Sequence, residues 1–246
     1  MFSIMGCSAV FAQAACAKKQ AGENIIRFKG EEADPMFRFA CTGEVIIESV
    51  KNGQPVTQTI PASEAYIASV QADANTYVTL RGDVVSVAFG NVNYEEQTYE
   101  LYQVTDLDTR ENKILMSIAC IQCKLTALDV SANTALTELA CGSNQLTALD
   151  VSANTALTGL YCDSNQLTAL DVSANTALTL LSCDSNQTLI SISYPATNEN
   201  VSTAIASAIT AATSTTGTVY TDSAGAYYST IETAATTKGW TIEQIA

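Results

Sequence analysis

Residues 125–187 read LTALDVSANTALTELACGSNQ (125–145), LTALDVSANTALTGLYCDSNQ (146–166) and LTALDVSANTALTLLSCDSNQ (167–187), one 21-residue unit written three times. A unit this short cannot bury an apolar face alone, so repetition at this period predicts stacked copies sharing one continuous core. Stepping back by the same period, 104–124 (VTDLDTRENKILMSIACIQCK) keeps Leu107, Asp108, Asn112, Leu115, Ile118 and Cys120 in place. Further back, 84–91 (VVSVAFGN) reads as one more strand of the same kind, followed by an insertion around 92–103. Worn outer copies suit such a stack, whose ends must be closed against water.

Within a copy, Leu139 and Cys141 stand two apart and point inward on a strand, while Glu138, Ala140 and Gly142 point outward. Asn144 follows where the chain turns, and its amide can bond to freed backbone groups of adjacent copies. Asn144, Asn165 and Asn186 are therefore expected to form a ladder. The LTALDVSANTA half is too short for an α-helix and reads as an extended or 3₁₀ segment.

Each copy holds L-x-x-L-x-[LC]-x-x-N, as Leu136, Leu139, Cys141 and Asn144, with a parallel version in Leu125, Leu128, Val130 and Asn133. This pattern resembles the bacterial leucine-rich repeat, in an internalin-like variant with Cys at the second strand position. The likeness covers 104–187. It implies a mainly β fold, a right-handed solenoid with a parallel sheet along one face, and binding of partners on that face rather than catalysis.

The three full copies agree at 18 of 21 positions. They differ only at Glu138/Gly159/Leu180, Ala140/Tyr161/Ser182 and Gly142/Asp163/Asp184, which alternate along one strand and share its outward, concave face. Back-face positions such as Thr126, Asp129, Ala132 and Thr134 should be equally exposed, yet they do not vary. The nine variable cells are therefore the candidate partner-binding residues. Four or five strands about 4.8 Å apart give a sheet roughly 20 Å wide. That is some 12 to 15 outward contacts, below the roughly 20–30 residues per side of a standard interface, so binding by this face alone should be weak.

Cys120, Cys141, Cys162 and Cys183 recur at the repeat period on the inward position, where a buried thiol acts as a small hydrophobe. Cys120 and Cys123 form a C-x-x-C, but Cys123 falls on the Asn-ladder position and no second pair follows. The expectation is no metal and no cofactor, with a Cys120–Cys123 disulfide left open. The repeat suggests two other uses: ice binding by the columns Thr126/Thr147/Thr168 and Thr137/Thr158/Thr179, and calcium at Asp129, Asp150 and Asp171. The first wants two Thr two residues apart, whereas Thr134 and Thr137 are three apart; the second wants Gly-rich turns that these repeats lack.

Outside the repeats, 22–103 reads as a β-rich capping lobe with strands at 25–28, 36–41, 44–50, 55–60, 76–80 and 84–89. Asn52-Gly53 marks a hairpin. Its carboxylates Glu31, Glu32, Asp34, Glu95 and Glu96 read as solubilising charge. Residues 188–246 read as an α/β cap sealing Leu189, Ile190 and Ile192. There Val201, Ile205, Ala208, Ile209 and Ala212 make a helical stripe, and a strand covers 216–221. Ser223 caps a helix over 224–238 carrying Tyr227, Tyr228, Ile231 and Ala235, Gly239 ends it, and Trp240 opens a last strand. Residues 1–21 form a signal-like or lipoprotein-like segment: an apolar run to Ala15, an A-x-A at Ala12–Ala14, and Ile4-Met5-Gly6-Cys7 resembling a lipobox. No basic leader precedes it, as a start lying upstream or a truncated start would leave.

The 246 residues carry 11 Lys+Arg against 25 Asp+Glu, a net charge of −14, which disfavours a nucleic-acid partner. There is no histidine, which removes Ser-His, Cys-His and His-ligated metal mechanisms. No motif sets two carboxylates in a cleft, so the chain is not expected to be an enzyme. Across 125–187 six acidic residues and no Lys or Arg favour a cationic or polyhydroxylated partner. The expected function is an exported, monomeric bacterial recognition or adhesion module, secreted or on the cell surface. It binds a protein or glycan, with membrane contact only through an N-terminal lipid anchor. The competing reading is a structural spacer or coat element with no specific ligand.

Overall fold

The structure is a computed structural model that describes residues 24–94, 97–100, 103–194, 199–213, 216–221 and 228–244. The expected export segment with Cys7, and Glu95, Glu96, Ser223 and Tyr227, lie outside the described residues. The chain divides into two compact units, Met1–Leu125 and Thr126–Ala246. Among the described residues the strand pairs of the first are antiparallel but for one, and those within the second are all parallel.

The first unit holds β1 (Ile25–Lys29), β2 (Met36–Lys51), β3 (Gln54–Ile60), β4 (Ser63–Ser69), β5 (Val78–Tyr94), β6 (Gln97–Glu100), β7 (Asp106–Asp108) and β8 (Ser117–Ile121). β2 pairs antiparallel with β3, β4 and β5. The four strands expected at 36–41, 44–50, 76–80 and 84–89 are two long ones. Between Cys41 and Val45 the β2–β5 register shifts, and opposite it Gly82 takes φ 138°. A Cβ on Gly82 would stand 2.4 Å from Glu44 O, so only glycine carries the bent strand through. Asn52 and Gly53 have φ 53° and 71°, both left-handed, and close β2–β3 as a tight hairpin. Phe28, Phe37, Phe39 and Phe89 form the core, with Phe28 4.7 Å from both Phe37 and Phe89 between ring centroids. β5 runs parallel to β8 with Ser86 opposite Ser117 and Phe89 opposite Cys120. Residues 84–91 thus behave as one more repeat strand, the insertion accounting for the longer step. Cys120 and Cys123 are buried free thiols, which closes the disulfide alternative in this structure.

In the second unit each copy adds one short strand: β9 (Glu138–Ala140), β10 (Gly159–Tyr161) and β12 (Leu180–Ser182). They pair in parallel, Glu138 facing Gly159 and Gly159 facing Leu180, so one step across the sheet is one period along the chain. Leu139, Leu160, Cys141 and Cys162 are fully buried beneath them. The other half of each copy is extended chain with two successive i→i+3 turns, Asn154 N donating to Val151 O and Leu157 N to Asn154 O. One strand forms there, β11 (Ala169–Asp171), and it starts a second parallel sheet ordered β11-β13-β14-β15. Its other members are β13 (Ser191–Tyr194), β14 (Thr218–Thr221) and β15 (Thr241–Gln244).

Helices α1 (Glu199–Ala211) and α2 (Tyr228–Lys238) link these strands. Val201, Ile205, Ala208 and Ile209 are buried as their helical spacing predicts. α1 packs against β12, and Cys183 Sγ donates to Ala204 O at 3.9 Å, so a helix closes the open edge of the last repeat strand. Leu189 and Ile192 are buried, but Ile190 is 49% exposed, which corrects the expectation that all three are sealed. Ile190 and Ile192 are two apart but straddle the start of β13, where the chain has not yet taken up strand alternation. Gly239 takes φ 83° after α2, as a helix-ending residue does.

Candidate functional site

Two rows of asparagine amides hold the copies of the second unit at their spacing. In the expected ladder, Asn165 Nδ2 donates to Cys141 O (3.0 Å), Cys162 O (3.2 Å) and Asp163 O (3.2 Å), while its Oδ1 accepts from Leu146 N (3.0 Å). Asn186 repeats this with Cys162 O, Cys183 O and Leu167 N, and Asn144 donates to Cys141 O and Gly142 O. The residue before each amide, Ser143, Ser164 and Ser185, sits at φ 55–58°, the left-handed turn that swings the amide inward. A second ladder was not anticipated. Asn154 Nδ2 donates to Val130 O and Asn133 O, and Asn175 Nδ2 to Val151 O and Asn154 O, all at 2.9–3.0 Å. The signal for it was present in the parallel motif ending at Asn133.

The Cys column lies inside. Cys141, Cys162 and Cys183 are at most 1% exposed and free. Burial pushes the Cys141 and Cys183 thiols up to about 12, and Cys162 well above its ordinary value with its two neighbouring thiols adding to the effect. Such thiols pack rather than react. Two other columns are used locally. Asp129, Asp150 and Asp171 each accept from the backbone N–H two residues on, capping the turn. Thr158 and Thr179 hydroxyls donate to the carbonyls of Thr137 and Thr158, one copy back.

The nine variable cells come together on the adjacent strands β9, β10 and β12 and the turns after them. Their exposure is graded, which the sequence did not foretell. Glu138 (9% exposed), Ala140 (5%), Gly142 and Gly159 are buried; Tyr161, Asp163 and Ser182 are half-buried; Leu180 (49%) and Asp184 are exposed. The expectation of nine equally presented cells is thus corrected: only Tyr161, Asp163, Leu180, Ser182 and Asp184 offer surface. Strand alternation decides which face a residue takes, not whether that face is open.

Local geometry ties these residues to one another. A Cβ on Gly159 would lie 3.4 Å from Tyr161 Cε2 and 3.8 Å from Glu138 Cγ, so ring and carboxylate stem both border the gap that Gly159 leaves. A Cβ on Gly142 would lie 2.9 Å from Asp163 Oδ1, so that carboxylate lies across Gly142. Ser182 Oγ stands 3.3 Å from both Asp163 Oδ1 and Asp184 Oδ1 and bridges the two carboxylates. Burial raises the Glu138 carboxyl above its ordinary value.

No family model and no curated protein matches the chain. Among solved structures it is similar to the functional domain of InlJ from Listeria monocytogenes, described as including a cysteine ladder. The identity is 29%, over 49% of this chain and 33% of that one, with a TM-score of 0.31. This chain therefore spans about a third of that one's length, and at that TM-score the likeness carries neither fold nor function over to it.

Proposed function

We propose that the chain is an exported bacterial leucine-rich repeat module, a right-handed solenoid that recognises a protein or glycan partner through the face of β9, β10 and β12 and has no catalytic role. One observation carries the reading: every difference among three otherwise identical copies falls on that face, and the copies agree at the inward Leu and Cys positions, along both Asn ladders and at the turn-capping Asp. Tyr161 and Leu180 supply the apolar contact, and Asp163, Ser182 and Asp184 the polar contact. A small face of this kind suits a weak, specific encounter.

The test is capture of partners from neighbouring cells or host surfaces by the full chain. It is run beside a variant carrying Tyr161→Ala, Asp163→Ala, Leu180→Ala and Asp184→Ala with its fold checked by circular dichroism. A partner held by the native chain and lost by the variant supports the face as the recognition site. Capture by both moves the site elsewhere in the chain. Capture by neither supports the spacer reading, in which the differences are drift.

A further inference from the structure

Of the asparagines in the chain, Asn52 alone precedes a glycine, and those of the two ladders precede Gln or Thr. A side-chain amide is attacked most readily by the next backbone nitrogen when that residue is glycine, which has no side chain to shield the nitrogen and turns freely. Asn52 and Gly53 are both exposed, and a Cβ on Gly53 would meet nothing within 4 Å, so the fold leaves this turn open to water. Its nitrogens are nevertheless held. Asp73, in the loop between β4 and β5, accepts from Asn52 N at 2.9 Å and from Gly53 N at 3.1 Å. The loop is pinned to the hairpin in turn: Asp73 N donates to Val50 O at 2.7 Å and Ala72 N to Asp34 Oδ1 at 2.9 Å, while Lys51 Nζ pairs with Asp34 at 2.8 Å. The two bonds from the turn hold the Asp73 carboxyl below its ordinary value, so at neutral pH it is an anion. Water would satisfy two exposed N–H groups equally well, so a carboxylate here does more than complete the turn's hydrogen bonds.

We propose that Asn52 is a self-modification site, converted to aspartate or isoaspartate with loss of ammonia, and that Asp73 keeps the site closed while the first unit is folded. In the reaction Gly53 N gives up its proton to solvent base and its electron pair attacks Asn52 Cγ. The Cγ–Nδ2 bond breaks, Nδ2 takes a proton from water and leaves as ammonia, and a five-membered succinimide remains. Water then opens the ring: addition at Cγ gives aspartate, and addition at the Asn52 backbone carbonyl gives isoaspartate, with the main chain rerouted through Cβ and Cγ. Water is the one co-reactant. Asp73 opposes the first step twice. Its bond favours the protonated nitrogen, and a nitrogen anion would form 3.1 Å from a carboxylate. Either product puts a second anion on the residue whose N–H Asp73 holds, and isoaspartate lengthens a two-residue loop closed by Lys51 opposite Gln54. Conversion therefore loosens the clamp that slowed it.

The test ages the full chain at mildly alkaline pH, folded and in urea, and follows by mass the tryptic fragment that begins at Asn52. The native chain should convert about tenfold or more slowly when folded than in urea, since two bonds to a carboxylate must open first. Folded Asp73→Ala, its fold checked by circular dichroism, should recover about tenfold or more of that rate, whereas in urea it should age like the native chain. Asp73→Asn keeps the shape and one acceptor without the charge, and its folded rate should fall between the two. No conversion at Asn52 in urea overturns the site. Equal native rates folded and in urea, or variants as slow as the native chain, overturn the role of Asp73. Material aged to completion should exchange the backbone hydrogens of β3 faster than fresh material, and equal exchange overturns the loosening.

Discussion

Replacing Asn165 by Ala tests what holds the repeats together. Its two amide protons serve three carbonyls, and each of these keeps a second donor. Cys141 O still accepts from Asn144, Cys162 O from Asn186, and Asp163 O from Ser143 N. Only Leu146 N–H is left with nothing, because its one acceptor was Asn165 Oδ1. An orphaned buried N–H costs about 1–3 kcal/mol, and the two lost donations add about 1 kcal/mol each. The expected loss is therefore about 4 kcal/mol. Urea unfolding followed by Trp240 fluorescence reads it, since Trp240 is buried in the second unit. At a slope of about 2 kcal/mol/M the midpoint should fall by about 2 M, while Gln166→Ala, exposed beside the ladder, should change almost nothing. Asn165→Asp should cost more than Ala at neutral pH, because it keeps the acceptor for Leu146 N but turns an anionic oxygen toward three carbonyls at 3.0–3.2 Å. A loss below about 1 kcal/mol for Ala, or a milder effect for Asp than for Ala, would refute the ladder as the device that sets the spacing.

Glu138→Gln should stabilise the protein. Burial raises the folded carboxyl, so the native state holds its proton to higher pH than the unfolded chain; stability falls as pH rises through that window, and the penalty is complete above it. The variant's advantage should be present at pH 8, vanish toward pH 4, and take that part of the slope with it, as melts across pH would show. Gly217→Ala should destabilise by about 3 kcal/mol, since the added Cβ meets the Trp240 ring at 2.6 Å and Ile190 O at 2.8 Å. Near-UV circular dichroism at Trp240 should change with it, and an unchanged melt would refute that packing. The six described cysteines are buried, so an aromatic disulfide reagent at pH 8 should find at most two fast thiols per chain, the rest reacting only as urea opens the fold.

The repeat itself, the inward Leu and Cys pairs, the first Asn ladder and the Asn52-Gly53 hairpin were legible because each rests on a rule local in sequence: a fixed period, a two-residue alternation, a turn dipeptide. The strands of the first unit were legible in place but not in length. What joins 36–41 to 44–50 is a long-range fit of Gly82 against Glu44 O, and composition holds no trace of that fit. The same limit governs the site. Alternation correctly placed Glu138, Tyr161 and Asp163 on one face, but their exposure depends on everything laid over that face, so four of the nine expected contacts turned out buried.

The bonding pattern also refines the case for selection at the variable face. Invariance of the back of the repeat does not by itself show that drift has spared exposed positions. Part of that invariance has a structural cause, because Asp129, Asp150 and Asp171 cap turns and the Thr137 column ladders through its hydroxyls. Those positions would resist change in any case and say nothing about the front. The informative column is Ala127, Ala148 and Ala169, which is exposed and has a methyl group with no hydrogen bond to lose. Drift acting on exposed surface should have reached it as readily as Leu180 and Asp184. Its three copies are the same, while the column led by buried Glu138 holds three different residues, Glu, Gly and Leu. Variation that spares a freely exposed methyl and enters a nearly buried carboxylate follows position on one face rather than solvent exposure, which is the pattern expected of residues chosen for what they touch.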